Sequence, residues 1–259
     1  MQPILFPRTN PGHTATRIAA VLALVGIPLA MILAFTWAPI SAITLSGDGA
    51  ATQYDFPQKI FYLHVPVAFA AYLGFFIGAW NALLYLLRGA EEYDVRSYVG
   101  IHVGMVFGTG VLATGSIWAK AAWGTWWSWG DRQLLVFLIL YLFYGAWFML
   151  RYSLDPGRAR ARASAVMALL GVALVPLSFL AIRIADTLIH PIVIDRSGLR
   201  MTSEMGITFV ISIAAFLALS TWMMQLEATV KVRDLMQRRS RIAVAPTAAE
   251  SADLEAANV

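Results

Sequence analysis

The sequence predicts an all-α, polytopic membrane protein with six transmembrane helices, both termini on the inner side and a tryptophan-rich outer loop. The first reason is composition: 59% of the 259 residues are hydrophobic and 13% are charged, and the mean hydropathy is +0.67. Ordinary soluble domains are less apolar than this. The second reason is that six apolar stretches each approach the ~20 residues that a helix needs to cross a bilayer. The third is that most basic residues fall on one side of those stretches.

The six predicted spans form one transmembrane domain over residues 17–225, after an inner segment 1–16 and before an inner tail 226–259. The proline-rich start of the chain lacks the apolar core of a secretory signal, so we expect the first helix to stay in the mature protein. In the tail, the amphipathic run Gln225–Arg241 predicts a helical extension at the membrane surface, and Ser240–Val259 predicts disorder. The spans lie at about Arg17–Trp37, Phe61–Leu87, Val99–Trp118, Gln133–Leu150, Ser164–Ala185 and Met205–Trp222.

Glycine and proline occur inside several of these spans. Helices that pack against each other in lipid tolerate them, and glycine allows two backbones to approach closely. We therefore expect close helix contacts at some of Gly26, Pro28, Pro66, Gly74, Gly78, Gly104, Gly108, Gly110 and Pro176.

Orientation follows from the basic residues, which gather in the inner loops of membrane proteins. Alternating the spans places thirteen Lys and Arg on the side of both termini and six on the other side. This predicts that the loops at about Ala38–Ile60, Ala119–Arg132 and Asp186–Glu204 lie outside. The same asymmetry accounts for the net charge of +4 and the pI near 9.5, so these values do not indicate a nucleic-acid partner.

Five of the nine tryptophans lie close together in the second outer loop. Tryptophan is common at membrane interfaces, but an interfacial belt spreads its tryptophans over several helix ends. Here they are concentrated in one segment that also contains Gly124 and Gly130, which favours a flat apolar surface able to stack on a large planar ligand. They are Trp118, Trp123, Trp126, Trp127 and Trp129.

Two of the four histidines are predicted on the same side as these tryptophans. His64 falls in the first outer turn of the second span and His190 just after the fifth, whereas His13 and His102 fall near the inner side. Membrane histidines commonly form hydrogen bonds between helices. Beside an indole-rich surface, two imidazoles from separate segments favour the alternative, the axial ligands of a haem iron. The chain has no cysteine, so such a haem would be held non-covalently.

Haem also carries two propionates, which need cationic or amide partners near water. Lys120 and Arg132 flank the tryptophan segment and are the first candidates, although each could equally be an interfacial side chain. Asp131 is expected to pair with an outer cation or to accept backbone hydrogen bonds where the fourth span begins. The remaining outer cations are Lys59, Arg183, Arg196 and Arg200.

The segment TGSIWAKAAWGTWWSWGDRQ, Thr114–Gln133, resembles the WWD signature of haem-handling proteins, with the tryptophan-rich motif over residues 118–133. The resemblance is greatest to the CcmC family of system I cytochrome c maturation. FYLHVPVAF, Phe61–Phe69, and DTLIHP, Asp186–Pro191, are similar to the two histidine segments of that family. The chain departs from the motif because Gly130 displaces the aspartate by one position. It also has Ile184, Ala185 and Asp186 where tryptophans commonly precede the second histidine.

The resemblance implies a non-covalent b-type haem on the periplasmic face of a bacterial inner membrane, with His64 and His190 as axial ligands. It also implies that haem is presented to a membrane-tethered haem chaperone during cytochrome c biogenesis. The partners implied are that chaperone, a small single-span accessory subunit and an ABC-type transporter complex.

The sequence contains no nucleotide-binding loop, serine triad or carboxylate pair in a span, so we expect a presenting scaffold rather than an enzyme. Three other classes of protein share some of these features. An electron-transferring cytochrome b subunit usually buries both histidines within spans, and a haem permease usually carries ionisable groups near the bilayer midplane. A larger cytochrome c synthase shares the tryptophan motif but usually has more spans and histidines.

Overall fold

A computed structural model describes residues 11–40, 42–44, 52–54, 56–184, 194–195, 198–199 and 201–244. The chain is an α-helical bundle, as predicted, and six segments are long and apolar enough to cross a membrane. Two short antiparallel hairpins, which the sequence analysis did not predict, lie between helices: β1 (Ala42–Thr44) with β2 (Thr52–Tyr54), and β3 (Ile194–Asp195) with β4 (Gly198–Leu199). The helices are α1 (Pro11–Thr36), α2 (Phe61–Arg88), α3 (Glu91–Trp123), α4 (Arg132–Ser153), α5 (Arg158–Val172), α6 (Leu174–Ile184) and α7 (Ser203–Val244).

Helices α2 and α3 form the antiparallel centre of the bundle, and glycines let their backbones touch. A Cβ added at Gly74 would lie 2.6 Å from the backbone N of Gly104, and one added at Gly100 would lie 2.5 Å from that of Gly78. Both distances are too short for any side chain. This contact confirms the expectation of close glycine packing and fixes where α2 and α3 place their polar side chains.

The predicted fifth span is two helices rather than one. Helix α5 ends at Val172, and α6 begins at Leu174 after the single non-helical residue Ala173. Pro176 explains the break, because proline has no N–H for the preceding turn and its ring clashes with the carbonyl four residues earlier. Here that carbonyl belongs to Val172, the last residue of α5.

The two ends of the bundle differ in composition. We call the end where α2 and α4 begin and α3 ends the tryptophan end, and the end where α2 and α4 finish and α3 begins the basic end. Ala34, Phe61 and Trp118 form an apolar cluster at the tryptophan end, with Phe209 of α7 stacked on Phe61 at 4.6 Å between ring centroids. Helix α1 therefore ends, and α7 begins, at the tryptophan end.

Helix α7 extends past the predicted end of the sixth span as one unbroken helix of 42 residues. The predicted helical extension after Gln225 is therefore confirmed. The predicted disorder from Ser240 is wrong at its start, because the helix continues to Val244; the rest of that tail lies outside the described residues. The extension contacts α3, where Arg239 of α7 donates to Glu91 at 2.9 Å.

Candidate functional site

The five predicted tryptophans do not all lie in a loop. Helix α3 runs on to Trp123, so Trp118, Lys120 and Trp123 are helical, and the predicted loop start near 118 is wrong. The helix ends where Gly124 adopts a left-handed conformation (φ 75°) and its N–H bonds to the Lys120 carbonyl. Glycine tolerates this conformation without steric cost. The connecting segment between α3 and α4 is therefore only residues 124–131.

The tryptophans differ in exposure, which separates core packing from a binding surface. Trp118 is only 5% exposed and packs in the apolar cluster, with Trp123 stacked on it at 5.9 Å between ring centroids. Trp126 and Trp129 are 59% and 71% exposed. Trp123 is 37% exposed, and together these three rings form an exposed aromatic surface at the tryptophan end. Such a surface could stack on a planar ligand.

Trp127 contributes a buried polar atom to the same segment. Its ring meets Trp129 edge-on at 5.9 Å, and its indole Nε1 is buried without a hydrogen-bond partner among the described residues. Burying an indole N–H without an acceptor is costly. A ligand oxygen placed there would remove that cost.

His64 stands in the first turn of α2 and is held by Thr114 of α3, with 2.8 Å between His64 Nδ1 and Thr114 Oγ1. The Thr114 hydroxyl has one hydrogen and donates it to the Gly110 carbonyl at 2.7 Å. Thr114 Oγ1 must therefore accept from His64, so Nδ1 carries the proton and Nε2 carries the lone pair. A fixed Nδ1–H is the usual arrangement for an imidazole whose other nitrogen binds a metal.

Two further residues of α3 shape the space around this imidazole. The Trp118 ring meets His64 edge-on at 5.6 Å, and a Cβ added at Gly115 would lie 2.9 Å from His64 Cε1. Any larger residue at 115 would displace the ring. Thr114 and Gly115 are not evident as site residues in the sequence, because their role depends on contact between α3 and α2. Their spacing of three and four residues from Trp118 was the available signal.

Asp131 is a helix cap. Its side chain is fully buried, and Oδ1 accepts hydrogen bonds from the backbone N–H groups of Gln133 at 2.9 Å and Leu134 at 3.2 Å. This confirms the expected capping role at the start of α4. The displaced aspartate therefore fixes the direction in which α4 leaves the tryptophan segment.

The predicted cations have different surroundings. Lys120 is exposed and its ammonium donates to the Gly124 carbonyl at 2.9 Å, so it helps to close the end of α3. Lys59 is buried and donates to the Ala38 carbonyl. Arg132 is exposed in the first turn of α4, next to the tryptophans. Arg132 is thus the best placed of the three for a ligand carboxylate.

Other predicted residues lie elsewhere or outside the described part of the chain. His190, Arg196 and Arg200 are outside the described residues, as are the side chains of His13 and Arg183. His102 lies toward the basic end, where its Nδ1 is 2.9 Å from Glu227 Oε2. It is twelve residues from Thr114 along α3, about 18 Å at 1.5 Å per residue, so it is far from His64, as expected.

Most of this molecule matches one family model. Residues 29–244 match the model described as "Heme exporter protein C". The chain belongs to the Heme exporter protein C family. The resemblance drawn from the tryptophan and histidine segments is therefore confirmed at the level of the family.

Individual members of the Heme exporter protein C family are moderately similar to the chain. It is 32% identical over 165 residues to Heme exporter protein C of Paracoccus denitrificans, which covers 61% of this chain and 68% of that protein. It is 28% identical over 172 residues to the Escherichia coli K12 protein of the same name, 65% and 64% of the two chains. A protein of Arabidopsis thaliana described as a putative cytochrome c biosynthesis ccmC-like mitochondrial protein is 27% identical over 212 residues, 80% of each chain.

Proposed function

We propose that the protein binds haem b non-covalently at the tryptophan end and presents it to a membrane-tethered haem chaperone during cytochrome c biogenesis. The observation that carries this proposal is the His64–Thr114 hydrogen bond, which leaves His64 Nε2 with the lone pair an iron ligand needs. The names of its relatives, heme exporters and a cytochrome c biosynthesis protein, support the same function.

The residues present fit a haem. His64 would hold the iron through Nε2, and His190, outside the described residues, is proposed as the second iron ligand. The exposed rings of Trp123, Trp126 and Trp129 would stack on the porphyrin or on the chaperone.

The propionates require donors at the rim of the site. Arg132 is exposed beside the tryptophan segment, and the Trp127 indole N–H has no acceptor among the described residues. Both groups donate, so both suit a carboxylate. In this proposal Asp131 acts on the site indirectly, because it caps the helix that carries Arg132.

We also propose that the tryptophan end faces the periplasm of a bacterial inner membrane. The excess of basic residues on the opposite side supports this orientation. The protein would then act without acid–base catalysis of its own, as a scaffold that holds haem within reach of the chaperone. A small single-span subunit and an ABC-type transporter complex are the proposed partners.

Removing His64 tests the proposal most directly. We expect the purified His64→Ala protein to lose its haem absorption spectrum, because the iron loses an axial ligand whose orientation α3 fixes. His102→Ala is the matched control, since it removes the imidazole near the opposite end, and it should keep its haem. Optical spectra of both proteins in detergent, normalised to folded protein, give the comparison.

Two outcomes would contradict the proposal. One is a full haem complement in both His64→Ala and His190→Ala proteins, which would exclude these histidines as ligands. The other is a topology map that places residues 64 and 190 on opposite faces of the membrane.

A further inference from the structure

A cavity lies at the basic end of the bundle, away from the tryptophans. It is a cleft of about 590 Å³ between α1, α2, α3 and α7. Its lining includes Arg96 of α3 and Arg233 of α7, both exposed, above apolar residues such as Ile77 and Val99. A cleft with cationic groups at its mouth and an apolar interior is complementary to an amphiphilic anion.

The two arginines at the mouth are not neutralised by the protein. Neither forms an ion pair with any residue that the structure describes. Three nearby carboxylates are engaged by other cations: Asp94 by Arg151 at 2.7 Å, Glu91 by Arg239 at 2.9 Å and Glu227 by Lys231 at 3.6 Å. Glu92 and Asp234 are close in sequence to Arg96 and Arg233 but form no ion pair with them. Two guanidinium groups therefore share one opening without an acidic partner.

The interior of the cleft carries amide groups at a greater depth. Asn81 is only 9% exposed and donates to the Ile77 carbonyl at 2.8 Å. The side-chain Oε1 of Gln225 is buried without a hydrogen-bond donor within the described part of the chain. Gln225 lies eight residues before Arg233 on α7, about 12 Å deeper at 1.5 Å per residue. A buried amide oxygen without a donor is costly, so this position suits a ligand that brings a hydroxyl or another donor.

We propose that this cleft binds an anionic phospholipid, with its phosphate between Arg96 and Arg233 and its acyl chains along the apolar lining. Basic pockets between transmembrane helices on the cytoplasmic side suit such head groups, since that leaflet is rich in anionic lipid. Ile77, Val99 and Met224 line the cleft, so it offers apolar surface to the acyl chains. The lipid joins α7 to α3 at the end of the protein opposite the haem site.

The test compares lipid retention by the full-length protein and two charge-matched variants. Arg96→Gln with Arg233→Gln removes both cationic groups from the cleft. Arg158→Gln with Arg162→Gln removes the same charge from exposed positions on α5 at the same end. Phosphatidylglycerol is the probe, counted by native mass spectrometry after transfer from nanodiscs that also contain phosphatidylcholine. We expect the cleft variant to bind phosphatidylglycerol about tenfold or more weakly than the wild type, and the α5 variant to bind it normally.

The other outcomes overturn the proposal. Equal loss in the α5 variant would mean non-specific attraction to surface charge, and equal retention in the cleft variant would mean that the cleft is not the site. Displacement of the lipid by inorganic phosphate, or by haem in a His64→Ala background, would assign the cleft to that ligand instead. The optical spectrum of each variant reports separately on haem at the tryptophan end, so failure here leaves the proposed function intact.

Discussion

The contacts of His64 and Trp127 at the tryptophan end differ from the ion pairs that join helices at the basic end. At the basic end, side chains pair with each other across helices, as Arg151 does with Asp94 through two hydrogen bonds of 2.7 and 2.8 Å. His102 and Glu227 pair at 2.9 Å in the same way. At the tryptophan end, His64 is held by a neutral hydroxyl and Trp127 keeps a buried N–H without an acceptor among the described residues. An ion pair between two helices fixes their packing, whereas a buried polar atom without a partner in the part of the chain that is described, such as the Trp127 N–H, is a candidate ligand contact.

The same comparison separates the two membrane histidines. A carboxylate beside His102 can share a charge with it, and that contact joins α3 to α7. Thr114 brings no charge to His64, and its hydroxyl fixes the orientation of the ring. The two histidines look alike in the sequence, but their partners support different roles: an interhelical contact with a carboxylate for His102, and the proposed iron ligand for His64.

The largest expected effect is on stability, and it comes from removing the Arg151–Asp94 ion pair at the basic end. Arg151→Leu leaves the partly buried Asp94 carboxylate without its cation, so we expect a loss of roughly 3 kcal/mol in the free energy of unfolding, the low end for a buried ion pair. The haem content per folded molecule should not change, because Arg151 is far from His64. Reversible unfolding in detergent, with the haem spectrum as a second readout, measures both quantities.

Arg158→Leu is the control for this experiment, because Arg158 is exposed at the start of α5 and should affect stability little. A parallel fall in haem content per folded Arg151→Leu molecule would show that the two ends are coupled. It would contradict the expectation that a change at the basic end leaves haem binding unaffected.

The second effect should be confined to the tryptophan end. Thr114→Val keeps the side-chain shape but removes the oxygen that accepts from His64, so we expect haem affinity to fall about 10- to 100-fold. Thr114→Ser restores the oxygen and should recover most of that affinity. Titration of the apoprotein with haem, followed by its absorbance, gives the dissociation constants.

Thr109→Val is the matched control, since Thr109 lies on α3 and its hydroxyl bonds to the Met105 carbonyl and to Tyr141. If Thr114→Val bound haem as tightly as Thr109→Val, the hydrogen bond from His64 to Thr114 would not contribute to haem affinity, contrary to this prediction.

Sequence patterns predicted the spans well because hydropathy depends on local composition, and they predicted helix ends poorly. The end of α3 depends on the left-handed Gly124, which lies beyond the hydropathy boundary at Trp118. The break before α6 was also missed, although Pro176 was visible, because the composition of the span stays apolar across it. The role of Thr114 depends on contact with another helix. The spacing of Thr114 from Trp118 places both on one helix face, but only the fold shows that this face contacts α2.

The smallest expected effect comes from Asp131, and it tests whether this residue only caps α4 or also acts on the haem through its charge. Asp131→Ala removes the acceptor for the Gln133 and Leu134 N–H groups and should cost about 1 kcal/mol of stability. Asp131→Asn keeps an acceptor oxygen without the charge, so both its stability and its haem affinity should remain close to those of the wild type. Asp155→Ala, at an exposed site near the basic end, controls for loss of a carboxylate. Haem loss in a stable Asp131→Asn protein would mean that the carboxylate charge itself serves the ligand, and the tryptophan end would then contain an ionic element of the kind otherwise found at the basic end.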